Sequence, residues 1–232
     1  MEQQDFSLPE ADPFTTLDDE ISRLNAFLTS LSSTDWEAST RCEGWTVRDM
    51  VAHFDSDEAY NEACLDNTLE ALAAGFSSID EFNQGQVQNR AHLSNEEILK
   101  QWRTRQARVR EDWEKLGLNA KITTIVGPYP LQAQIWHIAS EYATHADDMG
   151  MKVASDAQQQ RLLWRFQLSS FAVQEKKDPP DLERSGDRMI ITTKQQHLSL
   201  SLEDFVAAVS ARLVLPKNLE DRQLIKALRA LA

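Results

Sequence analysis

Cysteine is almost absent from this chain. Cys42 and Cys64 are the only two in 232 residues, and they lack Cys-x-x-Cys spacing. A disulfide-built scaffold is excluded, and two reduced thiols in a cytoplasmic protein are the expectation, with a Cys42–Cys64 bridge as the lesser alternative. Basic residues are scarce, 24 Lys and Arg against 37 Asp and Glu, for a formal net charge of −13. A surface so negative repels phosphate backbones and anionic lipid, so neither nucleic acid nor a membrane is expected as a partner. An anionic substrate would need a locally basic pocket. No apolar run approaches the roughly 20 residues that cross a bilayer. Residues 1–14 are acidic and lack the apolar core of a secretory signal. Internal repeats and Gly-rich phosphate loops of GxGxxG or Walker type are also missing. What remains is ordinary globular composition: 41% hydrophobic residues with six Trp and nine Phe argue against wholesale disorder.

Helical periodicity dominates the first two thirds of the chain. Leu17, Ile21, Leu24, Phe27, Leu28 and Leu31 mark a first amphipathic helix, broken at Ser32, Ser33 and Thr34. Thr46 with Asp49 three residues on forms a capping-box variant opening a second helix, expected to reach about Ala74. A shorter segment holds Ile79, Phe82 and Val87. Ser94 and Glu97 cap a third long helix through Ile98, Trp102, Val109 and Trp113, ending near Gly117. Val126 to Pro130 reads as a turn, and Leu131 to about Met149 as a fourth helix stopped at Gly150. Four long helices with modest loops suggest a bundle. Gln158 to Gln174 reads as one more helix and Asp178 to Asp181 as a turn or linker. Two strands follow, Met189–Thr193 and His197–Leu202, joined through residues 194–196. Helices beginning near Phe205 and ending at Leu231 close the chain. The expected fold is mainly α: a helical bundle over 1–152, then a small α+β domain over 153–232.

The fourth helix carries His137, Glu141 and His145 at steps of four, which form one stripe along its face. A carboxylate and an imidazole one turn apart can reach a common ion. His53, flanked by Val51, Ala52 and Phe54, should face inward from the second helix. Two helices could thus bring two imidazoles and a carboxylate to one point, a typical open ligand set for catalytic zinc. Other divalent first-row ions take the same donors. The pattern alone leaves a second reading open, since Glu–His pairs at this spacing also form plain helix-face hydrogen bonds, and an apolar-flanked His is often a satisfied core residue.

The run from Trp36 through Cys42, Gly44, Trp45, Thr46, Val47, Asp49 and Ala52 to His53 resembles the opening motif of the mycothiol-dependent maleylpyruvate isomerase family, whose members are DinB-like four-helix bundles. Asp80 to Asn83, with Val87 and Arg90, is similar to the family's next segment. Glu141, His145 and Asp148 resemble its fourth-helix signature. The likeness spans about residues 17–150 and is weaker beyond 155. It implies His53, Glu141 and His145 as ligands of a divalent metal, zinc foremost, with Asp148 behind them. Trp36, Gly44 and Trp45 would shape the loop, and packing accounts for Cys42. It also implies a low-molecular-weight thiol such as mycothiol as cofactor, and a small organic acid or electrophile as substrate, isomerised from cis to trans or taken through S-transfer. A metal-dependent hydrolase of the same fold, or a non-enzymatic metal- or ligand-binding relative, is the alternative.

One departure touches substrate choice: relatives often carry Arg three residues before the Glu, where this chain has Ile138. His137 is the catalytic candidate, as a fourth ligand, a proton shuttle or a partner orienting Glu141; a partly exposed helix-start His is the plain alternative. Asn83, Arg90 and Arg212 are candidates for binding substrate or thiol, each with a capping or surface role as the alternative.

Overall fold

The computed structural model describes residues 6–194 and 196–231. The chain divides into two compact units, one over Leu17–Met151, the other gathering the residues up to Thr16 with those from Lys152 on.

Four long helices carry the first unit: α1 (Pro13–Ser30), α3 (Val47–Asp66), α6 (Asn95–Leu116) and α7 (Leu131–Asp148). Between them lie the short α2 (Ser33–Trp36), α4 (Leu69–Ala73) and α5 (Ile79–Asn89). Their inner faces pack Leu24, Phe54, Trp102, Trp113, Trp136 and Tyr142 with no exposed surface. Helix α3 is the central element. Met50, Val51, Ala52 and Phe54 are all fully covered, so it is buried on nearly every side and packs on α5, α6 and α7. Its start is fixed by the expected box: Thr46 Oγ1 accepts from the Asp49 amide, and Asp49 accepts from the Thr46 amide at 3.0 Å. The Ser94–Glu97 box opens α6 in the same way.

The expected second helix is too long. It ends at Asp66 because Asn67 adopts a left-handed conformation (φ 56°) and donates back to the Ala63 carbonyl, after which the chain restarts as α4. The expected turn at Val126–Pro130 is instead part of a hairpin. Strand β2 (Gly127–Pro130) pairs antiparallel with β1 (Lys121–Thr124) around Ile125 and Val126, and Gly127 supplies the positive φ that follows this tight connection. Proline survives there because a two-stranded ribbon leaves one side of each strand unpaired.

The second unit contains α8 (Ser155–Gln174), β3 (Asp181–Ser185), β4 (Arg188–Thr192), β5 (His197–Ser201), α9 (Leu202–Val209) and α10 (Leu219–Leu228). The strands form an antiparallel meander in the order β3-β4-β5, and α8 packs on α9. Strand β3 was not expected. Its sequence is almost entirely charged or polar and only Leu182 is buried, so it carries little alternation to read. Leu202 belongs to α9 rather than to the last strand, because Ser201 caps that helix through the Asp204 amide. The expected connection over residues 194–196 has its middle residue, 195, outside the described residues. The chain is mainly α, a DinB-like bundle followed by a small α+β portion, as expected. Among the described residues no helix is long and apolar enough to cross a membrane.

Candidate metal centre

The loop ahead of α3 is tied down twice. Ser39 bridges Thr46, and the Trp45 amide donates to the Cys42 carbonyl. The Arg41 amide donates to the Asp148 carbonyl at 3.1 Å, which pins the loop to the end of α7. These bonds put Trp45 and Cys42 beside the inward imidazoles. The Trp45 ring lies 5.1 Å from His53, centroid to centroid, while the indole N–H donates to Gln84 on α5 at 2.9 Å.

His53 on α3 and His145 on α7 meet edge to face with centroids 5.0 Å apart, and both are buried. Glu141 Oε2 lies 3.2 Å from His145 Nε2. Donor atoms of His53, Glu141 and His145 all fall within 4.8 Å of one another. The far side of His145 is occupied: Nδ1 is 3.0 Å from Asp148 Oδ2, and Cys42 Sγ lies 3.7 Å from the same nitrogen and 3.4 Å from that carboxylate. An imidazole that gives its Nδ1 proton to a buried carboxylate presents the Nε2 lone pair toward Glu141 and His53, which is how metal-ligating histidines are commonly oriented.

The electrostatics match that geometry. Burial would pull the His145 imidazolium down, but Asp148 first, then Cys42 and Glu141, hold its pKa well above the ordinary value. Burial would raise the Glu141 carboxyl, yet the hydrogen bond and charge of His145, with help from His53 and His137, keep it below the usual range. The donors suit a divalent cation: two imidazoles, one of fixed tautomer, and a carboxylate already ionised.

The sequence profile of the mycothiol maleylpyruvate isomerase N-terminal domain matches residues 17–150. The chain belongs to that family. Two solved structures of mycothiol-dependent maleylpyruvate isomerase, one of them a histidine-to-alanine mutant, share its fold with TM-scores of 0.56 and 0.55. Each covers 72% of this chain and 71% of its own, at 16% and 17% identity. No curated protein matches the chain.

The profile spans the whole donor cluster of this family member, and the remaining candidates divide around it. His137 sits on the donor stripe, half-buried, with Nε2 3.0 Å from the Tyr129 hydroxyl, and its charge is felt at Glu141. Arg90 is put to a different use. Its Nε donates to Asp55 at 2.6 Å and its Nη1 to the Gln86 carbonyl and side chain, an ion pair buried between α3 and α5. Asn83 is half-buried on α5. Arg212 belongs to the other unit, where it donates to the Ser210 carbonyl.

Sequence reasoning assigned Cys42 and Trp45 to packing, whereas both touch the donor histidines or their partner. It also passed over Asp57, whose Oδ2 is 3.6 Å from His53 Nε2. Burial first, then the Glu141 carboxylate, push the Asp57 carboxyl well above its ordinary range. The spacing could have flagged it, because Asp57 follows His53 by four residues as His145 follows Glu141.

Next to Asp57 on α3, Glu58 heads a buried polar chain. It accepts a hydrogen bond from Tyr142 and another from Asn61, while Trp102 donates to Tyr142 and Gln134 to Asn61. Burial lifts the Glu58 carboxyl to about 7 against these bonds. The folded protein keeps this proton while the unfolded chain loses it near pH 4.5, so stability falls as pH rises through that window. The Glu58→Gln variant cannot ionise there. Relative to it, the wild type is expected to lose roughly 3 kcal/mol between the two pKa values, read by denaturant titration in the presence of a chelator. A gap independent of pH would contradict the assignment.

Proposed function

We propose that this chain is a divalent-metal-dependent enzyme that uses a low-molecular-weight thiol, mycothiol or a close analogue, to isomerise a cis double bond or to transfer the thiol to a small electrophile. The observation that carries the reading is the His53–Glu141–His145 cluster, held by Asp148, in a member of a family named for a mycothiol-dependent isomerase.

His53, Glu141 and His145 would hold the ion. When bound, it supplies the positive charge that keeps a neighbouring thiol deprotonated at neutral pH, and the thiolate is the reactive form. Asp148 keeps the Nδ1 proton of His145, so that Nε2 stays available. Trp45 and Phe54 flank the imidazoles and limit water on that side. Glu141 retains 31% exposure, which makes its side of the cluster the open one. On that side, one turn before Glu141, the His137–Tyr129 pair can hold or pass a proton between Nε2 and the phenol oxygen. Thiolate addition to one carbon of a conjugated cis double bond leaves a single bond free to rotate. Expulsion of the same thiolate restores the double bond as trans, with no net consumption of thiol. Ile138 is buried where relatives often carry Arg, so the substrate's carboxylate would be met by other groups than in those relatives.

Two measurements test the reading. Purified protein is expected to carry about one divalent ion per chain. The ligand-field spectrum of the cobalt-substituted form should shift when mycothiol is added. Protein that neither retains nor takes up an ion rejects the metal reading, and a cobalt spectrum indifferent to thiols rejects the thiol half.

A further inference from the structure

We infer that Cys42 is a positioning residue for His145: its thiol donates to the same Asp148 oxygen that takes the His145 Nδ1 proton, and so fixes the carboxylate that aims the imidazole. The inference rests on the reading of the cluster as a metal site. It gives a role to a residue outside the three donors and leaves the open coordination position to the thiol cofactor.

Geometry comes first. Asp148 Oδ2 lies 3.0 Å from His145 Nδ1 and 3.4 Å from Cys42 Sγ. An ionised carboxylate only accepts, so the thiol beside it is the donor, and two hydrogens converge on one oxygen. The 3.7 Å between Cys42 Sγ and His145 Nδ1 follows from that shared acceptor. Donor atoms of Cys42, His145 and Asp148 also fall within 4.8 Å of one another, a grouping that these hydrogen bonds explain without a second ion.

The thiol is held where it can do this. The Cys42 amide donates to Thr40 Oγ1 at 3.2 Å, and the Cys42 carbonyl accepts from the Trp45 amide at 3.1 Å. One residue earlier, the Arg41 amide donates to the Asp148 carbonyl at 3.1 Å. The loop therefore grips Asp148 twice, at its backbone through Arg41 and at its side chain through Cys42. That side chain has no exposed surface, and there a hydrogen bond to a carboxylate counts for more than it does in water. Removing the thiol frees the carboxylate to turn. The imidazole that leans on it then loses its fixed direction toward Glu141 and His53.

Zinc and cobalt titrations of full-length protein, by calorimetry and by competition with a chromophoric chelator, compare three variants. Cys42→Val fills the space without a donor, Cys42→Ala empties it, and Cys42→Ser restores a donor. Loss of a group that hydrogen-bonds a metal ligand directly costs about 10- to 100-fold in affinity. The thiol is a weak donor one hydrogen bond further from the ion, so Val and Ala are expected to weaken binding by about 3- to 10-fold. Both should also move the cobalt ligand-field band, and Ser should return affinity and band to near wild-type values. In zinc-loaded protein the downfield Nδ1–H proton resonance of His145 should shift in Val and Ala and return in Ser. Packing alone would not produce that pattern.

Cys42→Val binding within about twofold of wild type, with an unmoved band, overturns the inference and leaves Cys42 to packing. Equal weakening in all three variants, each shown folded by circular dichroism, overturns it too, because donation would then not be what matters. A sulfur-to-cobalt charge-transfer band in wild-type protein without added thiol, lost in Cys42→Ser, would make Cys42 a ligand and likewise overturn it. A wild-type protein that binds neither ion removes the underlying reading and the inference with it.

Discussion

Replacing Asp55 with Ala is expected to cost about 3–5 kcal/mol of folding stability, the range for stranding one member of a buried ion pair. Asp55 has no exposed surface, and one of its oxygens accepts from Arg90 at 2.6 Å, Arg105 at 2.7 Å and Gln101 at 2.9 Å. The three donors do not lose equally when it goes. Arg105 keeps its bond to Glu62 at 2.8 Å and is partly exposed, so its charge stays compensated. Arg90 is only 8% exposed, and its ion-pair partner in the structure is Asp55, so the penalty concentrates there. Arg90 closes α5 onto α3, and α5 carries the Gln84 that holds the Trp45 indole over His53. Damage to this pair is therefore expected to loosen the wall of the site as well as the fold. The double variant Asp55→Ala, Arg90→Met, which leaves no orphaned charge, should recover a large part of the loss. Urea denaturation of the two single variants and the double variant reads the coupling. The exposed pair Asp18–Arg110 is the contrast, where Asp18→Ala should cost less than about 1 kcal/mol. A loss that small for Asp55→Ala would show that its network contributes nothing beyond a surface pair.

These buried polar groups also explain where the sequence was readable and where it was not. Helix starts were legible because a cap is local: Thr46 with Asp49, and Ser94 with Glu97, need only three residues of context. The Glu141–His145 stripe was legible for the same reason, being a property of one helix, and His53 stood out by its apolar neighbours. Likeness to a known family then drew the two helices together over the span that the family profile covers. The interior of α3 resisted reading. Asp55, Ser56, Glu58 and Asn61 are almost completely buried, so the most central helix of the bundle carries a polar sequence on faces that sequence patterns assign to solvent. Asp55, Glu58 and Asn61 find partners at the end of α5 and on α6 and α7, distant in sequence, which no local pattern encodes. Cys42 was opaque in the same way, because its significance lies in a carboxylate 106 residues later. Strand β3 failed for a different reason, since an almost wholly charged or polar strand with one buried side chain has no periodicity to detect.

The second large effect is expected at the donors themselves. Structural zinc held by the four ligands of a zinc-finger peptide is worth about 10–16 kcal/mol at neutral pH. Deleting one donor should therefore remove roughly 3 kcal/mol, a loss of more than about 100-fold in affinity. His53→Ala and Glu141→Ala each remove one donor and leave the other two in place. His145→Ala goes further, because it also removes the imidazole that pairs with Asp148, whose side chain has no exposure. It should show the deepest loss of binding together with some loss of folding stability. Stability provides a second readout that needs no substrate. An ion that binds only the folded state adds about 2.7 kcal/mol at 100 times its dissociation constant. Wild-type protein should gain thermal stability on adding zinc or cobalt, whereas His53→Ala and Glu141→Ala at the same concentrations should gain almost none. With chelator present, the gap between wild type and His53→Ala should narrow to what truncating one buried side chain costs. If all three variants keep wild-type occupancy and the same ion-dependent shift, the donors lie elsewhere in the chain. The buried imidazoles would then be parts of a polar core, held by Asp148 and Asp57 as ordinary partners.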